Sequence, residues 1–316
     1  KLNSLIFVGL PVNRIEGIYN CAAAIYGGKL LALYAKSYLP NYGEFYERRH
    51  FTPFQLNMKT QFITFAGFEN VPFGTDILLQ DETNSSLTIA CELCEDLWVP
   101  VPPSSRHVLA GATVIANLSA GNEIVGKADY RKSLVKAQSA RSICAYIYAN
   151  AGKGESTQDM VFAGHNLIAE NGTLLAESEL FSGQTIYADI DVERICQERR
   201  KTSSYGYSVN NNPFNLEYTK VVFDMNTEQN KGGFTRYIDP HPFVPSDKET
   251  RSQRCLEVIT LQSQGLAKRL RHINCQSAVV GLSGGLDSTL ALLITCRAFD
   301  SVGINRKQIT AITMPC

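Results

Sequence analysis

Short apolar, β-branched runs broken by glycine, asparagine and proline set the pattern of residues 1–205. Residues 4–11 (Ser-Leu-Ile-Phe-Val-Gly-Leu-Pro) read as a buried strand. Ile18 to Tyr26 is β-like, Gly27-Gly28 turns the chain, and Leu30 to Tyr34 returns, which predicts a hairpin. Residues 76–81 and 86–92 flank Glu82-Thr83-Asn84-Ser85, a second hairpin that leads into Cys94. Ser104 to Ala112 reads as a short helix with Ser104 as its N-cap. Thr113 to Ser119 and Cys144 to Asn150 are strands, and Lys127 to Arg141 between them has helical spacing of Leu134, Ala137 and Ala140. Val161 to Glu170 and Leu174 to Ala176 are expected to pair across Asn171-Gly172, a type I′ hairpin signal. Thr185 to Ile190 is predicted as a strand and Val192 to Lys201 as a helix.

The pattern then changes twice. Residues 206–247 carry Asn210-Asn-Asn-Pro-Phe, Lys231-Gly-Gly and prolines at 240, 242 and 245, and read as an extended linker. Its aromatics, Phe214, Tyr218, Phe223, Phe234 and Tyr237, predict that it lies against something. Residues 248–316 open a further domain. Lys248 to Ile273 is a long amphipathic helix, and Ser277-Ala-Val-Val-Gly-Leu leads through Ser283-Gly284-Gly285-Leu286-Asp287-Ser288 into an apolar helix. The chain begins on a core strand with no cap before it, so a longer parent protein is expected.

Composition narrows the partners. Thirty basic residues balance thirty acidic ones in 316, and 44% of the chain is hydrophobic. That balance argues against nucleic acid or an anionic membrane as the main partner. The basic runs Arg199-Arg200-Lys201 and Lys268, Arg269, Arg271 read as solvated helix faces. Nine cysteines, an odd number scattered over this length, suggest no disulfide framework and a reducing cytoplasm. No apolar run reaches membrane-spanning length, and the start does not read as a signal peptide. Cys91 and Cys94 form a Cys-x-x-Cys, but no second pair or nearby histidine completes a zinc set, and Glu92, Glu95 and Asp96 make an acidic setting for a redox pair.

The candidate chemistry sits in two places. Cys94 lies where a β-rich run gives way to a tight turn, which is how a nucleophile is exposed beside backbone N–H groups. A lone cysteine at a strand end is also commonly a small buried hydrophobe. The loop at 283–288 follows a Val-Val-Gly strand and precedes an apolar helix. Its glycines let successive N–H groups point inward, and the helix adds its positive end, which makes an anion cradle. No Lys-Ser/Thr follows the glycines, so it is not a Walker A loop. The five histidines, His50, His107, His165, His241 and His272, stand in no context for a Cys-His pairing.

Lys36 and the stretch Leu39-Pro-Asn-Tyr-Gly43, followed by Cys94-Glu-Asp-Leu-Trp98, resemble the nitrilase (carbon–nitrogen hydrolase) superfamily, in the version found in the glutamine-dependent NAD⁺ synthetases. The Ser-Gly-Gly-x-Asp-Ser loop resembles that of the N-type ATP pyrophosphatases. The resemblance implies a nitrilase-like αββα sandwich over 1–205, followed by the start of a Rossmann-like, doubly wound ATP pyrophosphatase domain. It implies Cys94 as nucleophile, and Lys36 with the backbone N–H of Glu95 as oxyanion donors. Glu44 matches the second glutamate of nitrilases, with a rim carboxylate paired to Arg48 or Arg49 as the alternative. Glutamine contacts are implied at Tyr42, Glu95, Gly121 and Lys127, the last two standing where relatives often have Ser and Arg. ATP is implied at Gly281, Leu282, Ser283, Gly284, Gly285, Leu286, Asp287 and Ser288, with Asp287 toward Mg²⁺. The resemblance places the general-base glutamate before Lys1. The implied substrates are glutamine, ATP and nicotinic acid adenine dinucleotide (deamido-NAD⁺), and a homo-oligomer is expected. Two rival readings remain at this stage: a plain amidase with a non-catalytic C-terminal segment, and an inert folded piece.

Overall fold

The computed structural model describes residues 3–56, 58–155, 160–214, 217–225 and 236–313. The chain forms two compact units, Lys1–Arg236 and Tyr237–Cys316.

The first unit holds two sheets. Strands β1 (Ile6–Arg14), β2 (Gly17–Tyr26), β3 (Lys29–Ala35), β4 (Gln61–Phe65) and β5 (Phe68–Gly74) form one, in the order β1-β2-β3-β5-β4. The predicted Gly27-Gly28 hairpin is there, and Cys21 lies opposite Ala35. The other sheet contains β6 (Ile77–Asp81), β7 (Thr88–Leu93), β8 (Val114–Ser119), β9 (Ala145–Asn150), β10 (Leu167–Glu170), β11 (Thr173–Glu177) and β12 (Thr219–Phe223). Its order is β11-β10-β9-β8-β7-β6-β12, with β7, β8 and β9 parallel. A strand buried on both faces carries apolar residues at nearly every position. All six residues of β7 are buried, which is why this run reads as continuous rather than alternating.

The sheets meet through Ala22, Ala24, Ala32 and Tyr34 on one side and Ile77, Leu79, Ile89, Cys91, Leu93, Val114 and Ala116 on the other. The small residues of β2 permit the close approach. Helices α1 (Pro103–Leu109) and α2 (Lys127–Ser142) cover the outer face of the larger sheet over Ala90, Ile115, Tyr146 and Tyr148. The outer face of the smaller sheet is sealed by Phe54 and Met58 of the segment after β3.

Several expectations shift. Helix α1 is capped at Pro102 rather than Ser104, whose N–H instead donates to Glu92. Thr185 to Ile190 is not a strand; it runs irregularly into α3 (Val192–Lys201), whose Ile195 joins the inter-sheet core. Arg199 is no solvated charge: its guanidinium donates to the carbonyls of Ile143 and Ala112 at 2.9 and 2.6 Å and ties α3 to the connections that lead into β9 and β8. Within the expected linker, residues 206–210 belong to helix α4 (Ser203–Asn210) and residues 219–223 are β12, which pairs parallel with β6 at the sheet edge. Lys231 to Phe234 and Met314 lie outside the described residues.

The second unit comprises α5 (Lys248–His272), β13 (Ala278–Leu282), α6 (Leu286–Val302) and β14 (Ile309–Thr313), with β13 and β14 parallel and Ala267, Leu270, Ala298 and Phe299 at its core. Among the described residues, no helix is long and apolar enough to cross a membrane.

Candidate active site

At one end of the larger sheet β7 stops at Leu93, and Cys94 begins a single 3₁₀ turn, Cys94–Leu97. Cys94 has φ +46°, a left-handed conformation that a non-glycine residue adopts at a cost of about 1–3 kcal/mol when its surroundings impose it. The surroundings are visible. Leu93 N–H donates to Asp96 Oδ2 at 3.0 Å, and Cys94 N–H donates to Asn117 Oδ1 at 3.2 Å. Asp96 is 1% exposed, and its other oxygen accepts the N–H groups of Ser37 and Tyr38 at 3.3 and 2.9 Å. One carboxylate thus fastens the lysine loop to the cysteine turn. Burial pushes its pKa up to about 6, against the hydrogen bonds it accepts and the charge of Lys36.

Lys36 follows β3 directly and is 3% exposed. Its Nζ lies 2.5 Å from Glu47 Oε2, and Glu47 Oε1 accepts from Asn20 Nδ2 at 2.6 Å. Burial works to lower the lysine pKa, but Cys94, Glu47 and Asp96 together hold it above its usual value. A buried ammonium kept charged by a carboxylate is a fixed positive centre beside the thiol. Lys36, Glu47, Cys94 and Glu44 all line one cavity of about 660 Å³, with Asn20, His50, Ser119, Ala120 and Asn150.

Glu47, which the sequence reading did not single out, is therefore the carboxylate at the lysine. Glu44 has a different neighbour: it accepts from Asn122 Nδ2, and Asn122 Oδ1 accepts from Lys127 Nζ. It lines the cavity and bonds to Asn122 rather than to Lys36. Eight residues separate Lys36 from Glu44 and eleven separate it from Glu47, and a loop has no period that chooses between them. Lys127 lies 5.5 and 5.4 Å from the ring centres of Phe45 and Trp98. Burial, then the charge of Arg131, lowers its pKa. Tyr42 donates to Glu95 Oε1 at 2.8 Å, and burial followed by that bond raises its phenol. Gly121 exchanges two hydrogen bonds with the Asn150 side chain, its N–H at 2.9 Å and its carbonyl at 3.2 Å.

Of the three acids around the thiol in sequence, only Glu95 is left to Tyr42. Glu92 points to the opposite face of β7 and is 1% exposed. Ser104 N–H donates to its Oε2 at 2.6 Å, and Tyr146 OH donates to its Oε1. Burial raises its pKa to about 7. Cys91 is buried, and its thiol is pushed far up by desolvation and by Glu92 and Asp96, so it is inert packing.

In the second unit β13 ends at Leu282 and α6 begins at Leu286. Gly284 has φ +84°, the conformation that requires glycine in this turn. Ser283 N–H donates to Ser288 Oγ at 3.3 Å, Gly285 N–H to Ser283 Oγ at 3.4 Å, and Ser288 Oγ to the Gly285 carbonyl at 3.1 Å. Asp287 sits in the first turn of α6. Among the described residues, no three His, Cys, Asp or Glu side chains gather as a metal site.

A cysteine held left-handed at a strand end shares a cavity with a buried Lys-Glu pair in a two-sheet sandwich. The chain belongs to the carbon–nitrogen hydrolase family, whose model (Carbon-nitrogen hydrolase) matches residues 1–200. A second model, NAD synthase, matches residues 258–316. The chain is 40% identical over 314 residues to the glutamine-dependent NAD(+) synthetase of Mycobacterium leprae (strain TN), covering 98% of this chain and 46% of that protein. It is 29% identical over 312 residues to the protein of the same name from Thermotoga maritima, covering 96% and 46%. The chain spans about half the length of the curated relatives it matches. Among solved structures it is similar to a glutamine-dependent NAD(+) synthetase from Cytophaga hutchinsonii, with TM-score 0.51 and 25% identity over 94% of this chain and 39% of that one. A carbon–nitrogen hydrolase from Helicobacter pylori G27 shares the fold at TM-score 0.51, over 65% of this chain and 68% of that one.

Proposed function

We propose that this chain supplies the glutaminase half, and the start of the ATP-using half, of a glutamine-dependent NAD⁺ synthetase. The observation that carries the reading is the pairing in one chain of the Cys94–Lys36–Glu47 cavity with a strand–Ser-Gly-Gly-Leu-Asp-Ser–helix loop. An amide is a poor electrophile, so it needs an activated nucleophile and a stabilised oxyanion. The Cys94 thiolate attacks the glutamine carboxamide carbon. The oxyanion that forms is met by the Lys36 ammonium and the Glu95 backbone N–H. The C–N bond breaks, the nitrogen takes up the proton that the Cys94 thiol gave up on ionising and leaves as ammonia, and water hydrolyses the thioester to glutamate and the free thiol. Glu47 keeps Lys36 charged and aimed. The glutamine ammonium and carboxylate are taken by groups of opposite charge at Tyr42–Glu95 and Lys127, with the backbone at Gly121 between.

In the second unit ATP binds over Gly281 to Ser288, with phosphate on the loop N–H groups and on Ser283 and Ser288. Asp287 offers one carboxylate toward the Mg²⁺ that ATP brings, which fits a cation held mainly by phosphate and water. ATP adenylates the nicotinate carboxylate of deamido-NAD⁺, releasing pyrophosphate, and ammonia displaces AMP to give NAD⁺. The free cysteines and the charge balance suit a cytoplasmic protein, and the resemblance implies a homo-oligomer.

The test is NAD⁺ formation by the natural-length protein, wild type and Cys94→Ala, with glutamine or ammonium as nitrogen source. The variant is expected to lose the glutamine reaction and keep the ammonium one. Retained glutamine use would remove Cys94 as nucleophile. No NAD⁺ from either source in wild type would leave the plain amidase.

A further inference from the structure

A line of buried polar groups leads from α1 to the cavity, which Glu92, Tyr146 and Asn117 do not themselves line. Ser104 N–H, in the first turn of α1, donates to Glu92 Oε2 at 2.6 Å. Tyr146 OH donates to Glu92 Oε1. Asn117 Nδ2 donates to Tyr146 Oη at 2.9 Å. Asn117 Oδ1 accepts the N–H of Cys94 at 3.2 Å and the hydroxyl of Ser119 at 2.7 Å, and Ser119 lines the cavity. Glu92, Tyr146 and Asn117 are each 1% exposed or less.

Every donor in this line has one acceptor, and the sense of each bond fixes the next. Two donors on Oδ1 set the Asn117 amide, so its NH₂ must face Tyr146. With that NH₂ on its oxygen, the phenol must send its own proton to Glu92. The two carboxylate oxygens are then both occupied. With Glu92 ionised such a line has a single arrangement, and its members polarise one another. It ends on the peptide N–H of the residue held at φ +46°.

We propose that Glu92, Tyr146 and Asn117 are positioning residues for the nucleophile: through the Cys94 N–H they fix the peptide that holds Cys94 left-handed, so that its sulfur and the following N–H of Glu95 address one substrate carbonyl. This rests on Cys94 being the nucleophile. None of the three touches substrate. Their effect is on alignment in the tetrahedral state, not on thiol ionisation or access.

That distinction sets the test. Two reagents are used on the full chain, with labelling located by mass spectrometry. Iodoacetamide requires a reachable thiolate. A glutamine-shaped diazomethyl ketone, 6-diazo-5-oxo-L-norleucine, also requires the carbonyl to be aligned with the oxyanion donors. Tyr146→Phe and Glu92→Gln are expected to lower the diazoketone rate constant at Cys94 tenfold or more, with the iodoacetamide rate constant staying within twofold of wild type. If Tyr146→Phe does not fold by thermal melting, Asn117→Asp replaces it. That variant keeps an acceptor for Cys94 N–H but turns a second carboxylate oxygen toward the phenol, and the same selective loss is expected. Equal loss with both reagents would mean general loosening of the fold, and no loss with either would mean the line is only core packing; each overturns the proposal. If wild type takes neither reagent at Cys94, or Cys94→Ala is labelled as fast as wild type, the nucleophile reading itself falls.

Discussion

Lys36 and Glu47 show what a single residue contributes here. A lysine at 3% exposure is costly unless a carboxylate keeps it charged, and Glu47 does so at 2.5 Å while Asn20 fixes its second oxygen. Glu47→Gln removes that charge, so the Lys36 pKa falls under its burial and the ammonium loses its aim. The glutamine-dependent kcat/KM of the natural-length protein should then drop on the order of 10²–10³, as for loss of an oxyanion donor. The ammonium-dependent rate should not change, and a parallel loss of both rates would refute the role. Cys94 and Lys36 stood out in the sequence because each follows a strand and sits in a string that resembles the family's. Glu47 was not legible, because two acids in one loop, Glu44 and Glu47, carry no register that selects one.

At the scale of elements the hairpin β10–β11 gives the sharpest prediction. Asn171 and Gly172 have φ +44° and +80°, the two left-handed positions that a type I′ turn demands. A Cβ on Gly172 would meet the Ala140 Cβ of α2 at 2.7 Å. Gly172→Ala should therefore destabilise the first unit by more than 1 kcal/mol, from strain and contact together. Urea unfolding reads the change, and a shift below a few tenths would contradict it. Turn and helix signals of this kind are local, which is why the Asn-Gly hairpin and the Val192–Lys201 helix could be read directly. Strand β12 could not, since Thr219–Phe223 becomes a strand only by joining β6, 142 residues earlier at the first pair, Thr219 with Ile77. Asp81 completes that joint by accepting the N–H of Met225 at 3.0 Å.

For the molecule as a whole, burying acids without salt bridges makes folding depend on pH. Glu92 has a folded pKa of about 7 against the ordinary 4.5 of a glutamate. A raised carboxyl pKa means that the folded state holds the proton more tightly. Its contribution is thus complete below about pH 4.5 and is lost as pH rises through about 7, by up to about 3 kcal/mol. The unfolding free energy of wild type relative to Glu92→Gln should fall between pH 5 and pH 8 and level off above; a difference that stays constant in urea melts at the two pH values would reject this. The sequence by itself determined most of the strands and hairpins of the first unit and the strand–glycine loop–helix of the second, which depend on local periodicity and turn chemistry. The two-sheet sandwich and the choice of Lys36 came from the resemblance of its motifs to a known family. Only tertiary structure decided that Glu47 and not Glu44 meets the lysine, that Asp96 ties its own turn to Ser37 and Tyr38, 59 and 58 residues earlier, and that Glu92 bonds to Ser104 and Tyr146. Those outcomes are set by which buried donor lacks an acceptor once the sheets have closed, and a buried donor left unpaired costs more than any local preference along the chain supplies.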